Sequence, residues 1–159
     1  MSSGDKSEKL FGIGAGSELA PAVRAFRTTL MLAQKLRNEM DERLRTDGLT
    51  TQQAALITAV NALGKPSLAE AAAALGSTHQ NVAQIVAALQ RKGLLRVEPD
   101  PADRRRKLLS ATNRSTAYWR ERDAGDFAAV ADWFADLSPA ELDTFCELAD
   151  RVITRLDHA

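Results

Sequence analysis

Apolar residues recur at every third or fourth position along most of the chain, which is the spacing of amphipathic helices. Two short apolar runs, Leu94–Val97 and Leu108–Thr112, are typical of strands instead. We therefore expect a mainly α fold with a small β-wing. The six predicted helices run from Ser17 or Glu18 to about Arg45, from Thr50 to Gly64, from Ser67 to Gly76, from Thr78 (or Ser77) to Gly93, from about Asn113 to Asp136, and onward from Ser138. Three of these starts have the spacing of a capping box, Thr50 with Gln53, Ser67 with Glu70 and Ser138 with Glu141, and Thr78 (or Ser77) is the predicted cap of the fourth helix.

The helix after Thr78 divides into an apolar and a polar side. Its apolar positions, at spacings of three and four, predict a buried stripe: Val82, Ile85, Val86 and Leu89. The opposite side carries Gln80, Gln84, Ala87 and Arg91, with His79 and Asn81 near the first turn. Side-chain amides can pair with adenine, and no acid lies between Thr78 and Lys92 to repel phosphates. The alternative is an ordinary polar surface helix.

The two predicted strands enclose a turn that ends in four consecutive cations, Arg104–Lys107. Pro99, Asp100, Pro101 and Asp103 favour a tight connection between the strands. A cationic hairpin tip of this kind can enter a narrow minor groove, where negative potential is concentrated. The alternative is a solvated charge run, which is the usual fate of such segments.

Charge is distributed unevenly along the 159 residues, although the net charge is zero. Residues 66–114 hold eight Lys or Arg against four Asp or Glu, whereas residues 115–159 hold four against ten. A basic segment that could contact phosphates, followed by a separate acidic segment, is consistent with a nucleic-acid partner. The single cysteine, Cys146, excludes an internal disulfide and a Cys-based zinc site, and we interpret it as a packing or interface residue. Without an apolar run of membrane-spanning length or a signal peptide, we expect a cytoplasmic protein.

Residues 68–112 resemble the MarR family of bacterial transcription regulators. The resemblance rests on Leu89–Leu95, on Asp100–Arg105 and on the closing Leu109–Thr112, and the order of elements extends it from about Glu18 to Leu156. It implies a winged-helix dimer that reads the major groove with its recognition helix. It also implies that Arg105 enters the minor groove, that Asp103 orients this arginine, and that a small aromatic or anionic effector binds near the DNA-binding lobe.

The last helix carries an apolar seam with spacings of three and four residues, longer than one small winged-helix core should absorb. We expect this seam to join two copies of the chain, together with apolar residues of the first helix. The alternative is a bundle within one chain. The predicted dimerisation residues are Val23, Phe26, Leu142, Phe145, Leu148, Ala149, Val152 and Leu156.

The sequence thus predicts a flexible arm over residues 1–17, a helical dimerisation region over 18–46 and 113–159, and a winged helix-turn-helix over 47–112. We expect a homodimeric regulator, a repressor released by an effector, that binds a pseudo-palindromic operator in double-stranded DNA. The alternative is a winged helix used only for protein contacts. No catalytic constellation, cofactor site or metal site is expected. The predicted DNA contacts are Ser67, Thr78, His79, Gln80, Asn81, Gln84, Arg91, Asp103, Arg104, Arg105, Arg106 and Lys107.

Overall fold

A computed structural model describes residues 17–159, and these residues form the mainly α fold with a two-stranded wing that the sequence predicts. The predicted N-terminal arm lies outside the described residues apart from Ser17. No helix within residues 17–159 has the length and apolar content needed to cross a membrane. The elements are α1 (Pro21–Leu44), a 3-10 turn (Arg45–Asp47), α2 (Thr51–Leu63), α3 (Leu68–Ala74), α4 (His79–Arg91), β1 (Leu95–Pro99), β2 (Lys107–Ala111), α5 (Asn113–Trp133) and α6 (Pro139–Asp157).

Several element boundaries differ from the prediction by a few residues. Helix α1 begins at Pro21 rather than near Ser17, because proline fits the first helical position and keeps the preceding Ala20 extended. Helix α5 ends at Trp133, before the predicted Asp136. Both strands lie close to their predicted places, but β2 begins one residue earlier, so that Lys107 belongs to the strand rather than to the turn.

The N-cap signals form as predicted at three helices and only in half at a fourth. Complete capping boxes join Ser67 with Glu70 and Ser138 with Glu141. Thr78, not Ser77, caps α4. Thr50 accepts a hydrogen bond from the backbone of Gln53, but the Gln53 side chain accepts one from Lys92 instead of completing the box.

The chain divides into two compact units, of which the first extends to Ala111 and contains the hydrophobic core of the helix-turn-helix. The predicted stripe of α4 is confirmed: Val82, Ile85, Val86 and Leu89 are all buried. Helix α4 packs against α2, α3 and strand β1 of the wing. Removing this apolar area from water fixes which side of α4 remains available to a partner.

The wing is an antiparallel hairpin whose second strand is joined to the segment before α3. Leu95 pairs with Ala111, and the register continues to Pro99 and Lys107 at the tip. The backbone N–H of Leu109 donates to the carbonyl of Pro66 over 2.8 Å, next to a bridge between Ser67 and Leu108. The middle of β2 therefore has backbone partners on both sides.

The second unit, Thr112–Ala159, consists of α5 and α6. An ion pair between Arg122 and Asp126 follows one turn of α5, with N–O distances of 3.1 Å. The rings of Phe134 and Phe145 lie 6.3 Å apart across the connection between the helices. No residue of α6 is buried. Its apolar side is therefore open in the single chain.

Candidate nucleic-acid interface

The N-terminal turn of α4 presents side-chain amides to solvent. Thr78 fixes this turn by accepting a hydrogen bond from the backbone N–H of Asn81 over 3.2 Å. His79, Gln80 and Gln84 are exposed, as the periodicity predicts, while the opposite side of the helix is buried. An amide can donate to one base atom and accept from its neighbour. This surface therefore has the chemistry needed to read base edges.

Asn81 is held more firmly than its neighbours. It is half-buried, and its Nδ2 donates to the Ser77 hydroxyl over 2.8 Å. One N–H and the carbonyl oxygen of its side chain remain available. Asn81 thus joins the turn before α4 to the first turn of the helix.

The wing tip is shaped by two aspartates that bond to their own segment. The Asp100 side chain accepts from the backbone N–H of Ala102 over 2.9 Å, and the Asp103 side chain accepts from that of Arg105 over 3.0 Å. The Asp103 carbonyl also accepts from the backbone N–H of Arg106 over 2.9 Å. Such Asx contacts fix tight turns. Within the structure, Asp103 therefore positions the Arg105 backbone.

Three of the four wing cations remain free for an anionic partner. Arg104, Arg105 and Lys107 are exposed, and none of them forms an ion pair with another residue in the described range. Arg91 also lies exposed at the end of α4. Lysine and arginine side chains in this state can neutralise phosphates and release counterions. The tip therefore carries an uncompensated positive charge in the same compact unit as the amide surface of α4.

Arg106 differs from these three, contrary to the expectation of a free cation. Its Nη2 atom lies 2.7 Å from the Glu70 carboxylate of α3. Its Nε atom lies 3.9 Å from Asp100. The hydrogen bond from the Ser67 backbone, followed by that from Arg106, lowers the pKa of Glu70 from 4.5 to about 2. Glu70 therefore carries a full negative charge at neutral pH, and Arg106 compensates it.

Ser67 does not fit its predicted place among the DNA contacts. The residue is only 8% exposed, and its hydroxyl lies 2.9 Å from the Glu70 carboxylate. The backbone N–H of Ser67 donates to the same carboxylate over 2.7 Å. The position is buried because the capping box and the bridge to β2 enclose it. Ser67 therefore caps α3 and joins its start to strand β2 of the wing.

Sequence reasoning missed two contacts that hold this surface in place. One is the Glu70–Arg106 pair, whose members are 36 residues apart. The other is Lys92, whose ammonium donates to the Gly48 carbonyl and, over 3.1 Å, to Gln53. Lys92 thereby fastens the end of α4 to the start of α2. Only the opposite charges of Glu70 and Arg106 gave any signal, and charge alone does not identify a partner.

A cavity of about 330 Å³ lies within the first unit, beside the turn that leads into α4. It has polar and apolar walls, as a pocket for an amphipathic small molecule requires. The described residues include no group of acidic, histidine or cysteine side chains that could hold a metal ion. The cavity is lined by Arg37, Thr51, Gln52, Ala55, Leu75, Gly76, Ser77, Asn81 and Ile85.

Comparison with known proteins agrees with this geometry. The family model of the MarR family matches residues 47–106. No curated protein matched the chain. Solved structures share the fold of nearly the whole chain. A MarR/EmrR family regulator from an Acinetobacter species superimposes with a TM-score of 0.78 at 17% identity, over 89% of this chain and 100% of the other.

Two further structures have similar folds. The S. aureus MepR–DNA complex gives a TM-score of 0.71 at 20% identity and covers 81% of this chain and 95% of its own. The PcaV regulator of Streptomyces coelicolor, bound to its natural ligand, gives 0.68 at 24% identity, with coverages of 89% and 96%. The chain is therefore similar to the MarR family over residues 47–106, its helix-turn-helix and wing, and shares the fold of solved regulators of that family along most of its length.

Proposed function

We propose that the protein is a homodimeric transcription regulator, a repressor, that binds double-stranded DNA by sequence. The observation that carries the proposal is that one compact unit contains both an exposed amide surface on α4 and a wing with three exposed cations that form no ion pair within the described residues. Amides discriminate bases in the major groove, and arginine is attracted to a narrow minor groove. A MarR structure from E. coli bound to operator DNA, similar in fold at 20% identity, supports this assignment.

The exposed apolar surface of α6 supports assembly through two copies. Leu148, Val152 and Leu156 are 53%, 59% and 69% exposed, and in α1 Phe26 is 63% exposed. So many large apolar side chains on regular helices indicate a surface that a partner covers. A second copy of the chain supplies an identical seam, so that a two-fold axis places one face against the other.

The cavity beside α4 supports regulation by a small molecule. Arg37 offers a cation, and Leu75 and Ile85 offer apolar contact, which suits an aromatic or otherwise apolar anion. Two proteins of this fold have small-molecule ligands: PcaV binds its natural ligand, and 6-hydroxynicotinic acid regulates DNA binding by BpsR of Bordetella bronchiseptica. An effector in this cavity would change DNA affinity only by its differential affinity for the two states.

We place this activity in the cytoplasm and assign the protein no catalysed reaction. The rival function is a winged helix that contacts only other proteins. Salt dependence separates the two, because DNA affinity falls steeply with salt as counterions are released, whereas an apolar protein contact changes little.

The test is to select bound fragments from genomic DNA and to measure their affinity over a series of salt concentrations. We expect one recurring, imperfectly palindromic site and a steep loss of affinity with salt. Recovery of random fragments, or of none, would contradict sequence-specific binding.

A further inference from the structure

We infer that Glu70 and Arg106 form a clamp that positions the wing on α3, so that Arg106 acts on DNA only through its neighbours. This inference rests on the proposed function. It assigns the four adjacent wing cations to two different tasks. Arg104, Arg105 and Lys107 would meet the DNA, whereas Arg106 would hold the tip that carries them.

Both partners of the Glu70–Arg106 ion pair are also held by other hydrogen bonds. On the wing, Arg106 is fixed by its backbone, since its N–H donates to Asp103 and its carbonyl accepts from Asp100 over 2.8 Å. On α3, the Glu70 carboxylate is fixed by the N–H and hydroxyl of Ser67. The 2.7 Å contact between Nη2 of Arg106 and the carboxylate therefore joins two groups that are already ordered. An ion pair between ordered groups loses less side-chain entropy than one between free chains.

The clamp holds the turn of the wing, which the backbone pairing with the segment before α3 does not include. The contacts of Pro66 and Ser67 with Leu108 and Leu109 anchor β2 along its middle, where Leu109 pairs with Val97 and Leu108 with Glu98. The tip, residues 100–106, is a turn between β1 and β2, and its own contacts are local except for the one from Arg106 to Glu70. A two-stranded hairpin is only marginally stable by itself. The clamp therefore limits the directions in which Arg105 can point.

The clamp also compensates the acids beside the DNA-binding tip. Glu70 and Asp100 are both close to Arg106, at 2.7 Å and 3.9 Å. Without that guanidinium, two carboxylates beside the tip would oppose phosphate binding. Loss of Arg106 therefore weakens DNA binding by two routes, through a less ordered wing and through exposed negative charge, whereas loss of the Glu70 charge acts only through the less ordered wing.

The experiment compares R106Q, R106K, E70Q and the double variant E70Q/R106Q with K107Q as the matched control. Glutamine at position 70 keeps an oxygen that can accept the Ser67 hydrogen bonds but loses the charge. We measure operator affinity as a function of salt, and amide hydrogen exchange of residues 100–106 without DNA. If the clamp positions the wing, R106Q and E70Q each weaken binding about two- to fivefold, the range of exposed ion pairs.

Three readouts distinguish positioning from direct contact with phosphate. We expect R106Q to leave the salt slope unchanged, whereas K107Q lowers it by about 0.9. We expect the double variant to lose no more affinity than R106Q alone, because both changes break one interaction. We also expect faster exchange at the tip in R106Q and E70Q, largely restored in R106K and absent in K107Q.

A different pattern overturns the inference. If Arg106 contacts phosphate, E70Q releases it and strengthens binding, and R106Q lowers the salt slope as K107Q does. Unchanged exchange at the tip in R106Q, in a protein that binds its operator, likewise overturns the clamp but leaves the proposed function standing. Failure of the unmodified protein to bind any DNA overturns the proposed function itself, and with it the role of the clamp in DNA binding.

Discussion

Asp41, near the end of α1, accepts hydrogen bonds from both the backbone N–H and the hydroxyl of Thr51, each 2.6 Å long. Thr51 is the first residue of α2, and its N–H has no partner within that helix. The Thr51 hydroxyl also lies 3.3 Å from the Arg37 carbonyl. Helix α1, which we expect to take part in dimerisation, is thereby fastened to α2, the first helix of the predicted winged helix-turn-helix.

Removing this link should destabilise the protein. In D41A the N–H and hydroxyl of Thr51 lose their carboxylate, and we expect a loss of about 1–2 kcal/mol, as for other helix-capping groups. E39A is the matched control, since Glu39 is an exposed acid on the same helix and should change stability by less than about 0.5 kcal/mol. Urea unfolding measures both. Equal midpoints for D41A and the unmodified protein would show that the link contributes nothing.

Gln84 and Lys107 should affect DNA binding in different ways. If Gln84 makes a bidentate base contact, Q84A should cost about 1–3 kcal/mol on the cognate site and little on random DNA. K107Q should weaken both kinds of DNA similarly and flatten the salt slope, because it removes a phosphate contact. Fluorescence titrations on the two DNAs measure the difference. Equal losses of Q84A on cognate and random DNA would show that Gln84 does not read sequence.

The low pKa of Glu70 predicts a specific response to acid. Because folding lowers this pKa from 4.5 to about 2, the stabilisation is fully present above about pH 4.5 and is lost as the pH falls towards 2. We therefore expect the stability difference between the unmodified protein and E70Q to be constant from pH 7 to pH 5 and to shrink below that. Chemical denaturation at a series of pH values measures it. A difference that grows on acidification would show that the carboxylate is not stabilised in the fold.

The sequence predicts the local architecture well, because the signals involved are short in range. The buried stripe of α4 and the boxes at Ser67 and Ser138 depend on residues three or four positions apart, and each formed as expected. Gln53 departed from its expected box because Lys92, 39 residues away, offers it an ammonium donor. A competing partner at that distance leaves no trace in local spacing.

The candidate site was predictable in residue type but only in part in role. Exposure of Gln80 and Gln84 follows from the helical period, since the buried stripe determines the opposite side. The run of four cations gave no means of separating Arg106 from its neighbours. That separation depends on the packing of the wing against α3, which places Glu70 within 2.7 Å of Arg106 and of no other wing cation.

The apolar seam of α6 should be required for assembly and for DNA binding. We expect L148D/V152D to give monomers or aggregates, because two carboxylates would have to be buried in the interface. L63D is the control, since Leu63 is 49% exposed, much as Leu148 is at 53%, but lies outside the seam. Sedimentation velocity reports the mass, and an operator titration reports binding. A doubly substituted protein that remains dimeric and binds DNA would rule out this interface.

The distance between the two recognition helices of a rigid dimer should determine the spacing of the two half-sites in the operator. Two recognition helices related by a two-fold axis can meet the same side of the duplex only if their centres lie about 34–36 Å apart, one turn of DNA. Adding about five base pairs between the half-sites turns one of them to the opposite side, and we expect tight binding to be lost. Adding a full turn separates the half-sites without rotating them and serves as the control for length.

The D41A variant tests whether the contact between Asp41 and Thr51 is responsible for the strict half-site spacing. If the link between Asp41 and Thr51 keeps the winged helix-turn-helix at a fixed angle to α1, its loss should reduce the penalty for the half-turn insertion while weakening binding to the natural operator. E39A should keep the full penalty. Footprinting of both half-sites shows whether one or two units are bound. Undiminished protection of both half-sites on the half-turn operator by the unmodified protein would mean that its two winged helix-turn-helix units are not rigidly coupled, and the spacing mechanism would be wrong.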